Sequence, residues 1–321
     1  MNKILITGIT GSGGSYLAEC LVNKGVEVLG TSRWHSTSAH KNLKNIKDKV
    51  KVLSCDLCDF SSIYKILRNN KPDAIFHLAS LANVRDSFDN PLSVYNNNVN
   101  VTLNLLESVR TLKEESGYNP NIQICSTSEV YGQVDPKNVP IKEDCPLQPI
   151  NPYASSKLAQ DNLGLVYHKS FDLNVIRTRM FTYLNPRRAD LFATSFALQI
   201  VKIERGELDI LKHGNLNSMR TLIDVRDAAE AYWTSLTSGK SGEVYNIGGT
   251  KSISVGDFLE VLKKNAKCNI KSEIDPSLLR PVDVTLQIPN CEKFIKDTGW
   301  QPKYSFEESM VYFLEEVRKN F

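Results

Sequence analysis

Tyr153 and Lys157 form a Y-x-x-x-K pair. Residues four apart share a face of a helix, so this spacing predicts the ammonium beside the phenol. A neighbouring positive charge favours the phenolate and equips tyrosine to act as a base near neutral pH. Upstream, Ser126-Thr127-Ser128-Glu129 follows an apolar run. Thr127 offers a hydroxyl that can hold the same substrate oxygen as Tyr153. Together these residues suit proton and hydride transfer at a carbon bearing a hydroxyl.

Hydride chemistry needs a dinucleotide. Gly8, Gly11 and Gly14 are spaced G-x-x-G-x-x-G, with Ser12 and Gly13 between the last two. Glycines there permit a tight turn and close approach of backbone to a pyrophosphate, and the following helix N-terminus supplies N–H donors. The second strand ends Leu29-Gly-Thr-Ser-Arg33-Trp34, with no acid to hold a ribose 2′-hydroxyl. Arg33 can pair with a 2′-phosphate, which favours NADP over NAD. Asp56 and Leu57, after the third strand, suit the adenine ring. Leu78 and Ala79, after the fourth, fall at the same end of the sheet.

The elements that must position these groups are read from periodicity. Lys3–Thr7, Val26–Thr31, Val50–Ser54, Ala74–Leu78 and Ile122–Cys125 read as strands. Ser15–Lys24, Ser61–Asn70, Val94–Leu112 and Tyr153–Ser170 read as helices. Strand alternating with helix predicts an α/β fold, a Rossmann-like doubly wound parallel sheet with ligands at the strands' carboxyl ends. After residue 180 the alternation loosens, with short strands at Leu208–Leu211 and Val244–Ile247. The expected division is 1–180 for NADP and the Tyr/Lys pair, and 181–321 mainly for substrate, interleaved with the first.

Composition narrows the partners. The 321 residues carry a net charge of +3 with basic residues scattered, which gives no support to a nucleic-acid or membrane-surface role. No apolar run has the length of a membrane span. Seven cysteines, an odd number irregularly spaced, and an N-terminus that runs straight into a strand point to reduced thiols in the cytoplasm. Cys55 and Cys58 form a C-x-x-C without a second ligand pair at zinc spacing, so no metal is expected.

The chain resembles the extended short-chain dehydrogenase/reductases, and within them the GDP-mannose 4,6-dehydratases. The matching segments are ITGITGSGGSYLAE (6–19), STSEVYG (126–132), PYASSK (152–157), NPRRADLFAT (185–194), HGNLNSMR (213–220) and LLRPVDV (278–284). The last three carry the resemblance to the GDP-sugar branch. It implies that Tyr153 deprotonates the sugar 4-hydroxyl during hydride transfer and that Glu129 removes the C5 proton, giving a 4-keto-6-deoxy sugar. It also implies that Arg188, Arg220 and Arg280 contact the diphosphate and nucleoside, and that Asp283 faces the base or ribose.

The chain departs from that pattern at Phe181-Thr182-Tyr183-Leu184, at Phe196, and at Asn83, which replaces a sugar-side pair. Arg220 to Asp227 reads more like the related GDP-4-keto-6-deoxymannose reductases. Thr182 and Asn83 are thus candidate sugar contacts, and mannose, an N-acetylated hexosamine such as N-acetylglucosamine, and a heptose remain open. A 4-keto reductase needs only Tyr153, Lys157 and a hydroxyl, so Glu129 separates the two readings. A sensor that kept the fold but not the chemistry would have lost the tyrosine or lysine; both are present. The two long helices imply a homodimer or homotetramer.

Overall fold

The computed structural model describes residues 1–34, 40–279 and 283–321. Arg280 lies outside the described residues. The amino-terminal half alternates as expected: β1 (Lys3–Thr7), α1 (Ser12–Asn23), β2 (Glu27–Ser32), β3 (Val50–Ser54), α2 (Phe60–Asn70) and β4 (Ala74–His77). Then come α3 (Val84–Asp89), α4 (Pro91–Ser116), β5 (Asn121–Thr127), α5 (Pro152–Phe171) and β6 (Val175–Met180). Local chemistry sets the ends. Asp59 accepts from the Ser61 N–H to start α2, and Asn151 accepts from the Ala154 N–H to start α5 behind Pro152.

The remainder contains β7 (Tyr183–Leu184), α6 (Phe192–Glu204), β8 (Ile210–His213), β9 (Met219–Asp224), α7 (Val225–Ser238) and β10 (Val244–Ile247). It closes with β11 (Lys251–Ser254), α8 (Val255–Lys264), β12 (Lys271–Ile274), β13 (Leu286–Gln287), α9 (Glu292–Thr298) and α10 (Phe306–Asn320).

Seven strands form one sheet in the order β10-β6-β5-β4-β1-β2-β3. Every pairing in it is parallel. Its strands are apolar and buried because helices cover both faces. Ile4, Ile6, Phe76, Tyr245 and Ile247 pack in one core, and Leu5, Ile75, Ile122, Ile124 and Val175 in another. Strand order reverses between β1 and β4, the place where such sheets open a crevice for ligands.

Two differences from the sequence reading concern this sheet. Val244–Ile247, read as part of the smaller region, pairs with β6 and extends the main sheet. β6 itself, VIRTRM, is fully buried although it carries Arg177 and Arg179. Asp161 on α5 accepts from Arg177 at 3.0 Å and from Arg179 at 2.9 Å. That pairing is what allows a strand with two cations to sit inside.

The smaller region is a second sheet, with β9 flanked by β11 and β13 and also paired to β7, beside the two-stranded β8–β12. A separate core built on Phe196, Ile200, Phe258, Leu262 and Phe313 holds it. Phe196, where a lysine is usual in the resembling family, is part of that core. No helix among the described residues is long and apolar enough to cross a membrane.

Candidate active site

The glycine loop joins β1 to α1 at the reversal point. Gly8 has φ +71°, and a Cβ there would lie 3.0 Å from the Ala79 backbone across the crevice. A Cβ on Gly14 would meet the Gly8 carbonyl oxygen at 2.4 Å. The loop closes with Gly11 N–H donating to the Gly8 carbonyl at 3.0 Å. Gly11 caps α1 without a side-chain bond, which leaves the first N–H groups directed at the crevice. Gly8, Gly11, Arg33, Asp56, Leu57, Leu78 and Ala79 line one stretch of this crevice. Arg33 is exposed there and Leu57 is buried. Donors for a pyrophosphate, an apolar wall and an exposed guanidinium thus fit a dinucleotide.

The crevice continues past Ser12, Gly13 and Gly14 into a cleft lined by Thr127, Glu129, Tyr153, Lys157, Thr182, Arg188 and Arg220. The proposed catalytic side chains therefore converge from β5, the turn after it, and α5. The Thr127 hydroxyl lies against the Tyr153 phenol and favours its ionised form. Glu129 accepts from Asn151 Nδ2 at 3.0 Å and from Gln287 Nε2 at 2.9 Å.

The electrostatics differ from the expectation in one respect. Burial holds the Tyr153 phenol above its ordinary value, and the charge that most opposes this is Arg188. Burial pushes the Lys157 ammonium the other way, below its ordinary value, and it donates to the Cys125 carbonyl of β5. Helical spacing does put Lys157 on the face of Tyr153, but the β5 carbonyl takes up the ammonium. Arg188 itself is held by the Ala82 carbonyl at 2.6 Å and by Asp190 at 3.1 Å.

Beyond Arg188 and Arg220 the cleft opens into a second chamber. It is lined by Asn83, Phe192, His213, Asn215 and Asp283, and shares both arginines with the inner cleft. Asp283 accepts from Asn215 and Ser218 at 3.0 Å each and faces Arg220 at 3.7 Å. Asn83 lies in this outer chamber and spends its side chain capping α3, accepting from the Asp86 N–H at 3.1 Å. Its place is therefore away from the inner cleft, where Thr182 stands.

Sequence reasoning missed the lining groups Tyr183, Tyr232, Cys125 and Gln287, and Asn151, which bonds to Glu129. Tyr232 on α7 bonds to the Cys125 thiol at 2.9 Å. Asn151 carried a readable signal, a cap residue directly before Pro152. Gln287 carried none, since it sits on a two-residue strand within irregular chain. Among the described residues, no three His, Cys, Asp or Glu side chains are grouped to hold a metal.

A parallel sheet with a glycine loop at its reversal point, and Tyr153 and Lys157 facing that loop, defines an enzyme of the extended short-chain dehydrogenase/reductase type. The family model described as GDP-mannose 4,6 dehydratase matches residues 5–311, and the chain belongs to that family. A GDP-mannose 4,6 dehydratase of Drosophila melanogaster is 31% identical, over 98% of this chain and 87% of that one. A GDP-6-deoxy-D-mannose reductase of Pseudomonas aeruginosa is 30% identical over 76% of this chain and 80% of its own. Among solved structures, RMD from Pseudomonas aeruginosa complexed with NADPH superimposes with a TM-score of 0.83 at 25% identity, covering 100% of both chains. UDP-glucose 4-epimerase of Thermus thermophilus in complex with NAD gives 0.85 at 25% identity, covering 98% of each.

Proposed function

We propose that this chain is an NADP-dependent 4,6-dehydratase of a GDP-hexose, GDP-mannose being the first substrate to test. The observation that carries the reading is the convergence of Tyr153, Thr127 and Glu129 in one cleft. That cleft runs from the glycine loop at one end to Arg188, Arg220 and Asp283 at the other. Family membership supplies the reaction class.

A nicotinamide dinucleotide held along the Gly8–Gly14 loop, Arg33 and Leu57 would supply the redox chemistry, hydride exchange with the sugar at C4 and C6. The residues do the rest. Thr127 and Tyr153 hold the 4-hydroxyl, and Tyr153 takes its proton. The resulting ketone acidifies C5; Glu129 removes that proton and passes it to the C6 hydroxyl, which leaves as water, and the proton taken up by Tyr153 balances the hydride returned to C6. A carboxylate is the group suited to this step, because a hydroxyl is too weak a base. Arg188 and Arg220 match the diphosphate, whose anionic oxygens suit guanidinium forks, and Arg188 also keeps the Tyr153 phenol from rising further. Asp283 and Asn215 stand where a nucleoside would be read.

The preference for NADP rests on Arg33 and on the missing acid at the end of β2. Exposed Leu92 and Tyr95 on α4, with Val166 and Phe171 on α5, support association of the chain through these helices.

The test is incubation with GDP-mannose and NADP. The reading expects a product lighter by one water with no net reduction of cofactor. A reductase reading has its own support, the reductase relative and the NADPH-bound structural neighbour. It expects stoichiometric NADPH consumption on a 4-keto-6-deoxy sugar.

A further inference from the structure

Glu129 is not held by its own loop alone. Each carboxylate oxygen accepts from one amide, Oε2 from Asn151 and Oε1 from Gln287. The Asn151 amide is fixed on the tyrosine side, because its Oδ1 caps α5 by accepting from the Ala154 N–H at 2.7 Å, one residue past Tyr153. Gln287 approaches from the opposite direction. It is 3% exposed and sits on β13, where it pairs in register with Arg220 of β9.

The chain segment carrying Gln287 spans the two chambers. Asp283 at its start is bonded to Asn215 and Ser218 in the outer chamber. Thr285 then exchanges bonds with Gln133, at 2.7 and 3.0 Å, on the loop that follows Glu129. Past Gln287, the Ile141 N–H donates to the Ile288 carbonyl at 2.8 Å. The segment is thus stitched to the Glu129 loop on both sides of Gln287.

We propose that Gln287 is a positioning residue for the Glu129 carboxylate, directing it at the substrate from the nucleotide side of the cleft. This rests on the dehydratase reading above. A carboxylate with one amide on each oxygen keeps its remaining lone pairs for substrate. An amide is also suited to both halves of the proton cycle. It donates to the carboxylate and, by rotating, can offer its carbonyl oxygen to the protonated acid. Gln287 bonds to the carboxylate that takes the C5 proton, so its loss should slow that step before it slows oxidation at C4.

The variant Gln287→Met keeps length and removes the donor; Gln287→Ala removes both without adding bulk. For each, kcat for dehydration of GDP-mannose should fall by about ten- to a hundredfold, the scale of a misdirected catalytic group. KM should stay within about twofold. Reduced nicotinamide should accumulate transiently, because oxidation at C4 continues while C5 deprotonation slows. Gln287→His, which restores a donor, should recover part of kcat. Wild-type kcat in both variants, with Glu129→Gln inactive, would overturn the role of Gln287 and leave the dehydratase reading intact. A fall in kcat with no accumulation of reduced nicotinamide would also overturn it. If the wild-type protein itself does not dehydrate GDP-sugars, both proposals fall together.

Discussion

At the scale of single residues, the chemistry rests on how charge is arranged around Tyr153. The Y-x-x-x-K spacing assigned the acidifying role to Lys157, yet the charge that most lowers the phenol comes from Arg188, 35 positions further on. Spacing reports neighbours on one helix; it cannot report a guanidinium delivered by a later loop. The consequence is measurable. Tyr153 works as a base only after losing its proton, so removing Arg188 raises the pH at which activity appears. Arg188→Ala should move the ascending limb of kcat/KM toward alkaline pH, and Arg188→Lys should restore much of it; an unmoved limb would assign Arg188 to binding alone. Arg33 stands exposed just past the end of β2, and the proposed preference for NADP rests on it. Replacing it by alanine should weaken NADP binding by about 1.5–3 kcal/mol, the range of a charge-assisted bond, while NAD binding changes little. Equal loss for both cofactors would contradict the assignment.

At the scale of elements, apolar strands and capped helices were readable because their patterns are local. β6 was not, because Arg177 and Arg179 look like surface residues until Asp161 is brought against them from α5. That ion group is nearly dry, and the arginines hold the Asp161 carboxyl below its ordinary value despite burial. A depressed carboxyl contributes stability at pH above the ordinary carboxylate range and loses it as pH falls through the lowered value. Asp161→Asn leaves two buried guanidinium groups facing a neutral amide. It should cost about 3–5 kcal/mol in denaturant unfolding at neutral pH, with the difference from wild type shrinking in acid. A cost under about 1 kcal/mol would mean that solvent reaches the group. β10 escaped assignment to the main sheet for a related reason: its four residues, Val244–Ile247, are correct for a strand but say nothing about which sheet receives them.

At the scale of the whole molecule, the site is assembled from both parts of the chain. In the proposed site, the glycine loop, β5 and α5 bring the groups suited to hydride and proton transfer. Arg188, Arg220, Asp283 and Gln287 come from the smaller region. The first set was legible as motifs; of the second, only the segments resembling the family were, and Gln287 was not. The exposed apolar residues of α4 and α5 belong to the same helices that carry the site, so association would buttress it. Light scattering should give at least twice the 36.1 kDa chain mass, and a single-chain mass at working concentration would contradict the proposed association. Removal of the C5 proton from a GDP-hexose oxidised in the same cleft is the role proposed for Glu129. It is tested most directly by comparing wild type with Glu129→Gln on GDP-mannose and NADP, following loss of water by mass spectrometry beside cofactor affinity. The variant should bind NADP as wild type does and lose dehydration by about a hundredfold or more. Undiminished loss of water in Glu129→Gln would contradict it.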